Sequence, residues 1–157
     1  MGYLKSVLFV LVMIIGVGAP LMVEAQLGIV GNLLSLIKIQ GTVFCTANGN
    51  IGINATATPI FPNASVQLRC GNGNIVSTTT TNNMGTFSIL LNPSEFLVSL
   101  IAERCNIVVT TPLSNCNATL PSIGGLLSRM DFAGKTVEGL INMLNVVPNE
   151  FQYLESL

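Results

Sequence analysis

Apolar and polar residues alternate along several short segments, which is typical of strands with one buried face. In residues 86–91, for example, Phe87, Ile89 and Leu91 fall on one face. The Gly- and Asn-rich residues 71–74 and 82–85 indicate turns, so we expect the strands between residues 66 and 91 to form a three-stranded meander. The strands predicted from this pattern cover residues 36–45, 66–70, 75–81 and 86–91.

After residue 91 the spacing of the apolar residues changes from that of a strand to that of a helix. Residues 93–102 carry apolar side chains at helical spacing, with Asn92 as N-cap and Pro93 at the first helical position, which fits a short helix or an ordered loop. Residues 105–111 are rich in β-branched side chains and predict a further strand, with Val108 facing outward.

The last third of the chain gives a weaker pattern. Gly124, Gly125 and Gly134 indicate a looser stretch, and residues 137–154 fit a helix or a strand. We favour a final strand over residues 146–153. Six to eight short strands with Gly/Asn turns predict an all-β fold, an antiparallel β-sandwich or open barrel with one short helix.

The N-terminus has the pattern of a secretory signal. One positive charge precedes an apolar run over residues 7–17, and Val23 and Ala25 suit cleavage before Gln26. The alternative is an uncleaved membrane anchor, but the run is short for a bilayer span. We therefore expect a signal peptide at residues 1–25, forming an N-terminal signal helix, then a lead-in segment at 26–35 and one β domain at 36–157.

Composition removes several function classes. The chain has 157 residues, a formal net charge of -1, and neither His nor Trp. The balance of charges leaves no basic surface for nucleic acid. Without His, the common catalytic triads and zinc sites cannot be built, and we expect no metal and no cofactor.

The cysteines agree with an extracellular location. Cys45, Cys70, Cys105 and Cys116 make an even number, and none belongs to a C-x-x-C motif. In an oxidising compartment we expect two disulfides, for which the count alone allows three pairings.

Three N-x-[ST] sequons indicate glycosylation at Asn54, Asn63 and Asn117. We expect all three asparagines on the surface. Attached glycan would keep a thinly charged protein in solution.

Candidate catalytic residues are few. Carboxylates such as Glu95, Asp131 and Glu150 are scattered, and their spacing selects no acid/base pair. We therefore expect no enzyme activity. The aliphatic residues at 28–36 and 140–157 complete the core or, alternatively, form an exposed patch.

Several longer runs resemble a known family. Residues 41–45 (GTVFC), 63–70, 83–88 (NMGTFS) and 105–117 resemble the plant pollen-allergen Ole e I and extensin family. Within it, residues 61–70 (FPNASVQLRC) and 111–120 (TPLSNCNATL) look like its phylloplanin-like members.

The resemblance implies a transthyretin- or immunoglobulin-like β-sandwich without a known catalytic site. It also implies disulfides joining Cys45 to Cys116 and Cys70 to Cys105. Two departures stand out, because allergen relatives carry a further cysteine shortly after the first, and the phylloplanin-like members are basic.

In function, the resemblance implies a secreted glycoprotein of the leaf surface or apoplast that inhibits oomycete or fungal spores. The partner would be a component of the microbial surface. The alternative is a structural or carbohydrate-binding protein of the plant cell wall, although the absence of Trp weakens the usual platform for sugar rings.

Overall fold

The chain folds into two β-sheets that enclose one apolar core. The computed structural model describes residues 35–93 and 98–157. Buried residues of both sheets belong to one hydrophobic cluster, which includes Ile39, Phe87, Leu68 and Ile107. The strands are β1 (Ser35–Thr42), β2 (Ser65–Cys70), β3 (Asn74–Thr80), β4 (Thr86–Leu91), β5 (Cys105–Val109), β6 (Gly125–Ser128), β7 (Met130–Glu138), β8 (Ile141–Pro148) and β9 (Gln152–Leu154).

The strand order makes this a sandwich of two open sheets. One sheet has four strands in the order β4-β1-β8-β7, and the other has five in the order β3-β2-β5-β6-β9. The strand pairs β1/β4, β2/β3, β2/β5, β5/β6, β6/β9 and β7/β8 are antiparallel. The predicted all-β sandwich with one short helix is confirmed for the described residues, and the sheets do not close into a barrel.

The alternation of apolar and polar residues explains which side chains β4 and β1 bury. Phe87, Ile89 and Leu91 of β4 are buried, while Ser88 and Leu90 between them are exposed. The opposite strand β1 likewise turns Ile37 and Ile39 into the core. The bounds predicted for β4 are those observed, and β1 ends three residues earlier than expected.

The predicted meander is wrong. Strands β2 and β3 form the expected hairpin, but β4 leaves it and pairs with β1 in the other sheet. Buried Thr81 holds the crossing, because its hydroxyl donates to the Phe61 carbonyl (2.7 Å) and accepts from the Ala64 amide (2.8 Å). The Asn82 side chain then accepts from the Thr86 amide, which redirects the chain into β4.

The prediction of a looser stretch is also wrong. Residues 125–138 form β6 and the first strand of a long hairpin, in which β7 pairs with β8. The predicted final strand at 146–153 covers the end of β8, the connection at residues 149–151 and part of β9. Val108 faces outward as expected but is only 2% exposed.

The helix prediction is partly outside the described residues. Helix α1 (Val98–Arg104) ends two residues beyond the predicted end, and its Ile101 is fully buried. Residues 94–97 lie outside the described part, so the predicted helix start remains a prediction. Short 3-10 turns occur at Ala55–Ala57 and Leu113–Asn115.

The predicted signal peptide at residues 1–25 lies outside the described residues, as does the lead-in apart from Ser35, which begins β1. Within the described ranges, no helix is long and apolar enough to cross a membrane.

Candidate functional site

A groove of about 450 Å³ opens at one end of the sandwich. It is bounded by the end of β1, the loop at residues 44–51, the start of β7 and the segment at residues 147–151. Its volume lies in the range of about 300–1,000 Å³ that ligand sites occupy. We call it the end groove.

Side-chain hydrogen bonds hold the loop of the end groove in place. The Asn50 amide donates to the Phe151 carbonyl (2.8 Å) and accepts from the Phe151 backbone N–H (2.7 Å). Asn50 therefore pairs with the second segment much as a neighbouring strand would. The Thr46 hydroxyl adds a bond to the Asn50 carbonyl (2.8 Å).

A disulfide holds the same loop from the other side. Cys45, which follows the groove residue Phe44, is bonded to Cys116 with 6.0 Å between the Cα atoms. The Cys45 backbone N–H also donates to the Pro59 carbonyl (2.8 Å). Cys116 lies at the end of a 3-10 turn and not on a strand, so this disulfide joins two loops.

The floor of the end groove depends on a close approach between backbone and ring. A Cβ atom at Gly41 would lie 2.5 Å from Pro148 Cγ and 2.9 Å from Phe87 Cζ. Only glycine leaves room there for the end of β8 to lie against β1.

The groove surface combines amides, carboxylates and apolar groups. Gln40, Asn149, Asp131 and Glu150 are exposed polar residues along it. Ile51 supplies an exposed apolar contact. None of the described residues that line the groove is basic. Acceptors and mixed donor–acceptor amides beside apolar patches suit a ligand rich in hydroxyl groups and without negative charge.

The structure brings two scattered carboxylates, Asp131 and Glu150, to one groove, which their positions in the sequence did not indicate. Both carboxylates are exposed. Within residues 35–93 and 98–157, no cluster of three or more His, Cys, Asp or Glu could hold a metal ion.

The second disulfide lies within the five-stranded sheet. Cys70 and Cys105 face each other as register partners on β2 and β5, with 4.0 Å between the Cα atoms. The two disulfides therefore have the pairing that the family resemblance implies, and no cysteine of the described chain is free.

All three sequon asparagines are exposed: Asn54, Asn63 and Asn117. Asn117 forms a local turn in which its side-chain oxygen accepts from the Thr119 hydroxyl (2.8 Å). Asn63 has φ of 58°, a left-handed conformation that asparagine adopts more readily than most residues. Glycan attachment at these positions remains a prediction.

The aliphatic residues at 140–157 were expected either to complete the core or to form an exposed patch, and the structure shows some of them in each place. Val146 and Phe151 are buried in the core cluster, whereas Leu140 is 84% exposed at the tip of the β7/β8 hairpin. Residues 28–34 lie outside the described part of the chain.

Known proteins match this chain over most of its length. A family described as "Phylloplanin antifungal protein" matches residues 33–157, which include every strand, both disulfides and all three sequons. A curated relative from Nicotiana tabacum, named Phylloplanin, is 46% identical over 109 residues, covering 69% of this chain and 69% of the relative. No solved structure matches the chain.

Proposed function

The chain belongs to the phylloplanin family, and we propose that it is a secreted, non-enzymatic plant surface glycoprotein that acts against fungi or oomycetes. The observation that carries this proposal is the extent of the family match. Because the match runs over residues 33–157, it includes the whole sandwich and not an isolated motif.

Secretion is supported by features of two kinds. The N-terminal sequence has the pattern of a signal peptide, and two disulfides are typical of proteins that fold in an oxidising compartment. The exposure of all three sequon asparagines leaves them accessible for glycan. The location proposed is the leaf surface or the apoplast.

A spore germination assay tests the antifungal function. The purified, glycosylated chain is applied to fungal and oomycete spores at the concentrations found on leaf surfaces, and we expect germination to fall. The control is the same preparation after reduction and alkylation, in which the sandwich has lost both disulfides. Equal germination with and without the folded protein would contradict the proposal.

The proposed absence of enzyme activity has its own test. A screen of glycan and ester substrates should show no turnover. Turnover that disappears after Asp131→Asn or Glu150→Gln would instead identify the end groove as an active site.

Binding of plant cell-wall polysaccharide is a second candidate function, favoured by the lining of the end groove. Amides and carboxylates such as Asn149 and Asp131 hydrogen-bond sugar hydroxyls, and exposed Ile51 offers an apolar contact for a ring face. The two carboxylates would repel a galacturonate chain. The groove therefore favours a neutral glycan over pectin.

Pull-down assays on cellulose, xyloglucan and pectin test this second function. We expect retention on a neutral polysaccharide and none on pectin. Replacing Gln40 and Asn149 together with Ala should weaken retention, whereas Asn83→Ala, at an exposed turn outside the groove, should not. No retention on any of the three would contradict glycan binding without bearing on the germination assay.

A further inference from the structure

A second cavity, of about 180 Å³, lies on the outer face of the five-stranded sheet. Its walls include Arg69, Asn106, Val108, Leu127 and Leu157, together with the turn between β2 and β3. We call it the outer pocket. It shares no lining residue with the end groove.

Strand register places a polar pair beside an apolar pair on the floor of the outer pocket. Arg69 on β2 is the register partner of Asn106 on β5. Val108, two residues further along β5, is the partner of Leu127 on β6. Residues two apart on a strand share a face, so all four side chains project from the same side of the sheet.

The apolar side of the outer pocket is shielded from water although it is on an outer face. Val108 lies outside the central core cluster and yet is 2% exposed. Leu157 lies against the same sheet, since a Cβ atom at Gly125 would overlap its side chain, and it lines the outer pocket together with Val108. A sheet face that is covered in this way offers a dry wall to a ligand.

The polar side of the outer pocket presents hydrogen-bond donors. Arg69 Nε donates to the Gln67 side-chain oxygen (2.9 Å), which orients the guanidinium. The ion pair found within the described residues joins Lys38 to Glu138, so Arg69 has no carboxylate partner among them. Its terminal N–H groups are available to an anion, with the Asn106 amide beside them.

We propose that the outer pocket binds a small monocarboxylate that carries a compact apolar body. A carboxylate is an acceptor for the parallel N–H groups of a guanidinium, and the apolar body would fill the space against Val108 and Leu127. An apolar cavity of about 150 Å³ accommodates benzene, so about 180 Å³ suits a molecule the size of benzoate or hexanoate. A bare phosphate would leave the apolar wall without a contact.

The test uses the purified secreted chain and two pairs of probes. Benzoate and hexanoate are titrated beside their neutral amides, benzamide and hexanamide, and beside inorganic phosphate. Binding is measured by calorimetry at millimolar concentrations and located by shifts of backbone amide resonances. We expect the carboxylates to bind saturably, to shift resonances on β2, β5 and β6, and to bind more tightly than the amides or phosphate.

Variants locate the charge that the proposal requires. Arg69→Gln keeps a polar side chain of intermediate length and should weaken carboxylate binding by about 10- to 100-fold, the range for a hydrogen bond to a charged group. Arg129→Gln is the matched control, because Arg129 is exposed and does not line the outer pocket. Leu157→Ala should weaken both carboxylates by a smaller factor.

Four results would overturn the proposal. Three concern the parent protein: equal binding of benzoate and benzamide, binding of phosphate as tight as that of the carboxylates, and absence of carboxylate binding at millimolar concentration. The fourth is equal affinity in the parent and in a correctly folded Arg69→Gln variant. These outcomes are independent of the germination assay, because they measure ligand affinity alone.

Discussion

The end groove and the outer pocket each lie near a disulfide, yet they are built differently. The loop of the end groove is held by Asn50 and by Cys45–Cys116, a disulfide between two loops. The outer pocket lies on strands in register, and its neighbour Cys70–Cys105 joins two strands that are already hydrogen-bonded.

This difference indicates which interactions each site needs. A ladder of backbone hydrogen bonds can keep β2 beside β5 without the Cys70–Cys105 bond. The loop at residues 44–51 has only isolated backbone hydrogen bonds, such as that from the Phe44 N–H to the Gly49 carbonyl (3.0 Å), so side-chain bonds carry more of its shape. We therefore expect the end groove to be more sensitive than the outer pocket to the loss of a single interaction.

The largest effect is expected from removal of the disulfides. Replacing Cys45 and Cys116 with Ala should lower the free energy of unfolding by about 4 kcal/mol, because this bond closes a 71-residue separation in the unfolded chain. The Cys70–Cys105 disulfide closes a shorter separation of 35 residues. Replacing both of its cysteines with Ala should therefore lower the free energy of unfolding by about 0.6 kcal/mol less. Denaturant unfolding without reductant measures both.

The two double variants are matched, since each removes one buried and one half-buried cysteine. Hydrogen exchange should show faster exchange at residues 44–51 in the Cys45/Cys116 variant and not in the other. A larger loss of stability, or a looser groove loop, in the Cys70/Cys105 variant would contradict the comparison.

The next largest loss of stability is expected from replacement of Thr81. Its hydroxyl bonds to Phe61 and Ala64, and the Phe61 N–H donates to the Val43 carbonyl next to the groove residue Phe44. Thr81→Val leaves a buried donor and a buried acceptor unpaired and should cost about 2–3 kcal/mol. Thr80→Val, at an exposed position on β3, should be nearly neutral.

Thermal and denaturant unfolding of both Thr variants provide the measurement. Equal stability of Thr81→Val and Thr80→Val would mean that the crossing between the sheets does not depend on the buried hydroxyl.

A smaller effect is expected at the loop itself. Asn50→Ala removes two hydrogen bonds to Phe151 at a half-buried position and should cost about 1–2 kcal/mol. The control, Asn72→Ala, changes an exposed asparagine in the β2/β3 turn. Faster hydrogen exchange at residues 44–51 in Asn50→Ala alone would support the difference between the two sites, and unchanged exchange in both variants would contradict it.

The smallest change in stability is expected at the sequons. Replacing Asn54 and Asn117 with Gln and Ser65 with Ala removes all three sequons and should alter the free energy of unfolding by about 0.5 kcal/mol or less. With a pI near 5.2 and little charge, the unglycosylated protein should self-associate near pH 5. Light scattering measures this, and a variant as monomeric as the parent would show that the surface needs no glycan.

Asn63→Gln gives a second form of the same test. It removes the sequon but places Gln in a left-handed conformation, which should cost about 1 kcal/mol. The difference between this variant and Ser65→Ala separates the effect of backbone strain from that of glycan.

Sequence alone predicts the strands whose inner faces are uniformly apolar. Phe87 and Ile89 alternate with polar or exposed neighbours, so β4 is found with its correct bounds. Strand β7 is missed because its residues after Met130 are mostly exposed on both faces and a bulge between Phe132 and Gly134 breaks the period.

Pairing partners and sites are harder to predict than strands. The turn at residues 82–85 looks like a hairpin turn, and only the distant strand β1 reveals that β4 belongs to the other sheet. The end groove combines residues near 40–51 with residues near 131 and 147–151, which no local motif connects. The surface location of the sequons, in contrast, follows from their polar, turn-rich surroundings.

The place of β1 in its sheet also determines the order in which the chain can fold. Strand β1 lies between β4 and β8, and β8 is not complete until Pro148 has been synthesised. A growing chain can pair β1 with β4 early, but the other side of β1 remains unpaired until β8 has emerged. Contacts between segments so distant in the sequence slow folding. Until they form, the unpaired edge of β1 is exposed and can pair with a wrong strand. Each sheet is therefore completed by a late strand, the four-stranded sheet by β8 and the five-stranded sheet by β9.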